Sequence, residues 1–205
     1  MTQVNLTKCL QTILDTRRKR STRKAYIFVD LKKAYDSVRR DLLFKIMMGR
    51  CQNDEERNLV LILSRLFLNT RFQYGETQME ASLEVAQDSV TSPFLFNVYL
   101  EHALKSSPLL ATAIENGSLL AFADDLLIMA DNETEAKQLI RALDGLKTDF
   151  KLHLNKVKTK ILSDKPEFKG IKEVDGVAVE KTCKYLGDRI SLDRQQLLKD
   201  AKNDI

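Results

Sequence analysis

Two apolar runs, Leu119–Ala123 and Leu126–Ala130, are separated by nothing but Asp124-Asp125. The runs predict two strands, and a gap this short predicts a tight hairpin with two carboxylates at its tip. An Asp-Asp pair is by itself ordinary turn chemistry. Flanks this apolar are not ordinary for a turn, because they place the pair in a largely buried hairpin. Two adjacent acids there repel each other unless a cation is present. The chain must therefore build a sheet around that hairpin, and a third carboxylate at a neighbouring strand end would complete a cation-binding group.

A candidate for that group ends another strand. Tyr26-Ile27-Phe28-Val29 is a run of four strand formers between charged flanks, and Asp30 follows it directly. Three carboxylates at the ends of adjacent strands can bind two hard divalent cations through oxygen. Two Mg²⁺ ions roughly 3.5–4 Å apart serve the attacking and leaving oxygens of nucleotidyl transfer. Taken alone, Asp30 equally fits an ordinary strand-end acid.

Elsewhere the periodicity alternates between helix and strand. Val4, Leu10, Ile13 and Leu14 predict an amphipathic helix over residues 3–20 with a basic end. Asp36 and Ser37 offer cap chemistry for a helix through Leu42, Leu43, Ile46 and Met47 that Gly49 should stop. Asp54-Glu55-Glu56 open another, with an expected apolar stripe of Leu59, Ile62, Leu63, Leu66 and Phe67. Arg71–Tyr74 and Thr77–Leu83 read as a hairpin around Gly75-Glu76, and Pro93 suits the first turn of a helix over Phe94–Leu104. Asn132 and Glu135 resemble a capping box for the face Ala136, Leu139, Ile140, Leu143, Leu146 and Phe150. Strands are expected at Lys160–Ser163, Phe168–Val174, Val177–Glu180 and Lys184–Leu186, with Asp175-Gly176 as a turn and a charged helical tail from Leu192. With neither repeats nor a flexible linker, the pattern is one α+β unit.

Composition narrows the class. No apolar run approaches a membrane span. Cys9, Cys51 and Cys183 lie far apart with no CxxC, so neither a disulfide scaffold nor structural zinc is supported, and an intracellular setting is expected. The net charge is only +4, yet residues 1–24 carry seven Lys/Arg against one Asp. Arg17-Arg18-Lys19-Arg20 with Arg23-Lys24 form a dense block, and Lys147 to Lys172 hold eight Lys against three acids. Such blocks suit a polyanion such as nucleic acid, and equally suit a solvated helix face. The Arg-rich N-terminus loosely imitates a mitochondrial presequence, but it runs into a folded motif with no small-residue spacer.

Together these segments resemble the reverse transcriptases, most of all those of non-LTR retrotransposons and group II introns. Ala25 to Val38, with Asp30, Ala34, Tyr35 and Asp36, resembles motif A; Gln87 to Tyr99 resembles motif B. Leu120 to Ile128 resembles motif C, with Phe122-Ala123-Asp124-Asp125 in place of the commoner Tyr-Ala-Asp-Asp. Leu152–Leu162 resembles motif D and Lys184-Tyr185-Leu186-Gly187 motif E, so the likeness spans about residues 10–190. A diguanylate cyclase would show Gly-Gly before its hairpin acids and a viral RNA polymerase Gly-Asp-Asp; neither fits.

The resemblance implies a polymerase-type palm: an antiparallel sheet with helices on one face and a carboxylate-tipped hairpin. It implies that Asp30, Asp124 and Asp125 hold two Mg²⁺ or Mn²⁺ ions, with the Leu31 carbonyl helping at the first. Tyr35 would block a ribose 2′-hydroxyl, Gln87 would contact the nucleotide, and Lys158 or Lys160 would stand near the triphosphate. Tyr185, Leu186 and Gly187 would form a primer grip. The implied partners are an RNA template or structural RNA and an RNA/DNA duplex.

Two departures stand out. The family carries glycine directly after the motif B Gln and three residues before it; here those positions are Asp88 and Glu84. Glycine permits close backbone approach to a ligand, so two carboxylates would face an incoming triphosphate. The expected organisation is a basic N-terminal helix (1–24), a palm (25–190) and a charged helical tail (191–205). Fingers and thumb would come from a longer precursor, a partner protein or a ribonucleoprotein scaffold. Two functions follow: an RNA-directed DNA polymerase palm, or a degenerate module kept for structure or RNA binding in a ribonucleoprotein.

Overall fold

A computed structural model of the protein describes residues 24–68, 71–74, 77–80, 92–185 and 188–192. The N-terminal helix expected over 3–20 and the helical tail lie outside the described residues. The first part of the fold is β1 (Ala25–Val29), β2 (Leu31–Lys32), α1 (Arg40–Arg50) and α2 (Asp54–Leu68), followed by a small antiparallel hairpin, β3 (Arg71–Tyr74) and β4 (Thr77–Glu80). Next come α3 (Ser92–Lys105), α4 (Pro108–Glu115), β5 (Leu119–Phe122), β6 (Asp125–Ala130) and α5 (Glu133–Phe150). The last part is β7 (His153–Leu154), β8 (Lys160–Leu162), a 3-10 turn at Pro166–Phe168, β9 (Glu173–Val174), β10 (Val177–Glu180), β11 (Thr182–Tyr185) and β12 (Asp188–Ser191).

The main sheet runs β5-β6-β1-β8-β10-β9. β1 lies at its centre, antiparallel to β6 on one side and β8 on the other. Its five residues are all buried, as expected for a strand covered on both faces. The sheet is mixed rather than wholly antiparallel: β10 pairs parallel to β8. The crossover between them is where the expected strand Phe168–Val174 gives way. Pro166 opens the 3-10 turn and Gly170 stands at φ 88°, so only Glu173–Val174 remains extended. Asp175 (φ 51°) and Gly176 (φ 80°) both take the left-handed conformation that a two-residue hairpin turn requires, as the sequence predicts.

Side chains of β1 alternate between two cores. Ala25, Ile27 and Val29 face the helices, where they join Leu100, Ile128, Leu139 and Leu143. Tyr26 and Phe28 face the other side and meet Cys183, Tyr185 and Ile190 of the β11–β12 hairpin. The palm of the resemblance is thus present, with its helices on one face. α5 buries all six residues of the predicted stripe, each worth about 1.5–3 kcal/mol for the larger side chains. Its cap forms as expected: the Asn132 side chain accepts from the Glu135 N–H at 2.9 Å, while Glu135 reaches back to the Asp131 N–H. Tyr99 donates its hydroxyl to the Phe150 carbonyl at 2.8 Å, which ties α3 to the end of α5.

Three local expectations need correction. α1 begins at Arg40, because Ser37 donates to the Lys33 carbonyl and closes a turn instead of capping the helix, and Gly49 lies inside it. α2 buries Val60, while Leu59 and Ile62 of the expected stripe are more than half exposed; α2 leans mainly on α1. α4 was not foreseen; Pro108 in its first turn is the signal that marks it. Among the described residues, no helix is long and apolar enough to cross a membrane.

Candidate active site

The hairpin that constrained the sequence has its turn at Ala123-Asp124. Phe122 pairs with Asp125, so Asp125 is the first residue of β6 and only Asp124 sits at the tip. Ala123 stands at φ 52°, a conformation that favours glycine. Along β6, Leu127 and Met129 face the β11–β12 side while Leu126, Ile128 and Ala130 face the helices. Asp125 therefore shares the β11–β12 side with Leu127. Asp30, two residues past Phe28, shares that side as well.

The pairing register brings the two acids together. β1 and β6 are matched to Val29–Leu126, and one further step sets Asp30 opposite Asp125. Directly opposed side chains on one face of an antiparallel pair have Cβ atoms about 4.5–5.5 Å apart. Burial pushes the Asp125 carboxyl up to about 6, and the charges of Asp124 and Asp30 push it the same way. Tyr35 is raised too, first by burial and then by the Asp124 charge. Its ring stacks on Phe96 with centroids 4.6 Å apart. The three predicted carboxylates and Tyr35 are therefore one electrostatic neighbourhood. Among the described residues, no three His, Cys, Asp or Glu converge into a ready-made ion cage. The fit to a divalent cation rests on this charge crowding, which an ion would relieve.

Asp30 and Asp125 open onto a cleft of about 900 Å³ between the sheet and the β11–β12 hairpin. Lys158, Lys160, Lys184 and Arg189 line it with Phe28 and Tyr185. Lys158 Nζ stands 3.9 Å from Asp30 Oδ1. Lys160 is instead paired with Glu180 at 3.3 Å. Tyr185 is buried edge-on against Phe28 with centroids 5.0 Å apart, so its ring is core. Leu31 is buried and paired with Leu154, one residue beyond Asp30.

Sequence reasoning missed two residues here. The Asn155 side chain donates to Asp30 Oδ2 at 2.8 Å, and the buried Thr159 hydroxyl accepts from the Asp30 N–H at 3.2 Å. Both belong to the motif D segment, where the lysines drew attention. An Asn before a strand reads as ordinary turn chemistry, and only the folded register shows its partner.

The basic residues separate into two groups. Arg17, Arg18, Lys19, Arg20 and Arg23 lie outside the described residues, as do Glu84, Gln87, Asp88, Leu186 and Gly187. Lys24 is ion-paired with Asp131 rather than free. Of the second block, Lys147, Lys156, Lys158, Lys160 and Lys165 each have an acidic partner, so this stretch is not an open cationic strip.

A mixed sheet with helices on one face and paired acids at the ends of its central strands defines a polymerase-type palm. The sequence pattern of the reverse transcriptase (RNA-dependent DNA polymerase) family matches residues 2–190, and the chain belongs to that family. It is 29% identical over 133 residues to the "Retrovirus-related Pol polyprotein from type-1 retrotransposable element R2" of Popillia japonica, covering 60% of this chain and 19% of that one. The fold is similar to apo telomerase from Candida tropicalis truncated from its C-terminal domain (TM-score 0.65, 17% identity, 91% of this chain and 38% of that one). It is also similar to telomerase from Candida albicans in complex with a fragment of telomeric RNA (TM-score 0.63, 11% identity, 92% and 34%). The chain thus spans about a fifth of the curated relative and about a third of the telomerase chains.

Proposed function

We propose that this chain is the palm of an RNA-directed DNA polymerase acting by two-metal nucleotidyl transfer. The observation that carries this reading is the opposition of Asp30 and Asp125 on one face, with Asp124 close enough to help raise the Asp125 carboxyl to about 6. Asp125 feels the charges of both Asp124 and Asp30, and Mg²⁺ or Mn²⁺ would relieve that repulsion through oxygen ligands. With two such ions bound, the site gains a clamp on the attacking and leaving oxygens of an in-line displacement. The chain's own residues supply the rest. Tyr35, held against Phe96, narrows the sugar position; Lys184 and Arg189, which line the cleft, suit a phosphodiester backbone. An RNA template and an RNA/DNA duplex are the partners this chemistry implies, and fingers and thumb would complete the grip.

A second reading is a degenerate structural or RNA-binding module of a ribonucleoprotein. It draws on Asp30, whose two oxygens face Asn155 and Lys158, and on Glu84 and Asp88 in motif B.

Mn²⁺ titration separates the two. Under the polymerase reading, Mn²⁺ raises the thermal midpoint of the wild type by mass action and not that of Asp124→Asn. Mg²⁺-dependent primer extension on RNA by the protein with its further lobes is then lost in the same variant. Equal stabilisation of both proteins by Mn²⁺, with no extension by either, removes the polymerase reading.

A further inference from the structure

One turn holds Asp30 at three points. The Asp30 N–H donates to Thr159 Oγ1, its carbonyl accepts from the Asn155 N–H at 2.9 Å, and its Oδ2 accepts from Asn155 Nδ2 at 2.8 Å. Asn155 is itself fixed. Its carbonyl accepts the N–H groups of Lys158 (3.1 Å) and Thr159 (2.8 Å), and its Oδ1 faces the Lys158 N–H at 3.4 Å. That dictates the amide's orientation, since a flipped amide would set oxygen against carboxylate and donor against donor.

The turn is anchored from outside as well. Lys156 Nζ lies 3.2 Å from Asp175 Oδ2 and 3.9 Å from Asp144 Oδ2, and Arg141 Nε donates to Asp175 Oδ1 at 3.0 Å. The segment is thereby tied to α5 and to the β9–β10 turn. An aspartate's terminal torsion is broad when unrestrained; here one oxygen is taken, and Oδ1 is left toward Lys158 Nζ.

Resting on the two-ion reading above, we infer that Asn155 is a positioning residue. Its amide locks the Asp30 carboxylate so that one oxygen, Oδ1, is presented to a divalent ion. Partners that orient a metal's ligands are worth about 10–100-fold in metal affinity.

The test is Mn²⁺ binding by the full chain, followed by the loss of the free-ion electron paramagnetic resonance signal. Asn155→Ala should weaken binding by about 10–100-fold. Tyr99→Phe, which loses a buried hydrogen bond elsewhere in the core, should leave binding alone. In an Asp30→Asn background Asn155→Ala should have no further effect, because the two act through one carboxylate. Wild-type affinity in Asn155→Ala, a loss that persists in the Asp30→Asn background, or an equal loss in Tyr99→Phe overturns the role. Asn155→Ser, too short to reach the carboxylate, carries the same expectations if the alanine variant does not fold. A wild type that binds no Mn²⁺ fells the two-ion reading and the role with it. A wild type that binds while Asn155→Ala matches it fells the role alone.

Discussion

Asn155 reaches across 125 residues of chain to donate a 2.8 Å hydrogen bond to Asp30. The contact joins the end of the central strand to the turn before β8, both on the sheet side of the cleft. Among the described residues no side chain donates to Asp125 in this way, and it is the carboxyl pushed up to about 6. Two acids placed opposite each other thus live in different surroundings.

Asp125→Asn should stabilise the ion-free protein at neutral pH. The carboxyl binds its proton more tightly in the folded protein (about 6) than an ordinary aspartate of the unfolded chain does (3.8). Stability is therefore lost as pH rises between those values, and the deficit persists above them. The shift amounts to about 1–3 kcal/mol after discounting for solvent screening. Thermal melts of both proteins from acid to neutral pH should converge at the acid end, separate as pH rises from 3.8 to about 6, and stay apart above that. Melts that stay together at neutral pH refute the assignment.

Mn²⁺ binding should weaken as the same proton returns. Ligands must be deprotonated to bind, so the dissociation constant should rise roughly tenfold per pH unit below about 6. Titrations at several pH values check this; a flat profile would mean that Asp125 is not a ligand.

Tyr35 offers a shape test of the proposed sugar site. Tyr35→Phe keeps the stack on Phe96 and should preserve discrimination against ribonucleotides in primer extension. Tyr35→Ala should relax it and cost about 1–3 kcal/mol of stability through lost burial and stacking. Equal discrimination by both variants would remove Tyr35 from the sugar site.

Ala123→Gly should stabilise the hairpin. The left-handed backbone at φ 52° costs an L-residue about 1–2 kcal/mol, and glycine's greater unfolded freedom offsets about 0.5–1 of that. A net gain of up to about 1 kcal/mol is expected in denaturant melts. A loss would show that the Ala123 methyl group makes a contact worth more than the strain.

Elements defined by local pattern were legible in the sequence. The six buried residues of α5 and the left-handed turn at Asp175-Gly176 need no tertiary information. So were the two apolar strands that flank Asp124. What could not be read depends on distant partners. Val60 rather than Leu59 is buried because α2 leans mainly on α1. The parallel pairing of β8 with β10 needs the crossover through Pro166 and Gly170. Asn155 is invisible for the same reason: its role exists only once Asp30 stands beside it.

The central place of β1 carries a cost during synthesis. Its hydrogen-bonding neighbours are residues 126–130 and 160–162, which leave the ribosome long after it does. At about 5–20 residues per second, Tyr26, Ile27 and Phe28 wait on the order of ten seconds for their partners. An unpaired strand this apolar is an aggregation hazard while it waits. Lys24 on one side and Lys32-Lys33 on the other bracket it with charge, the flanking that keeps such segments from pairing with the wrong chain.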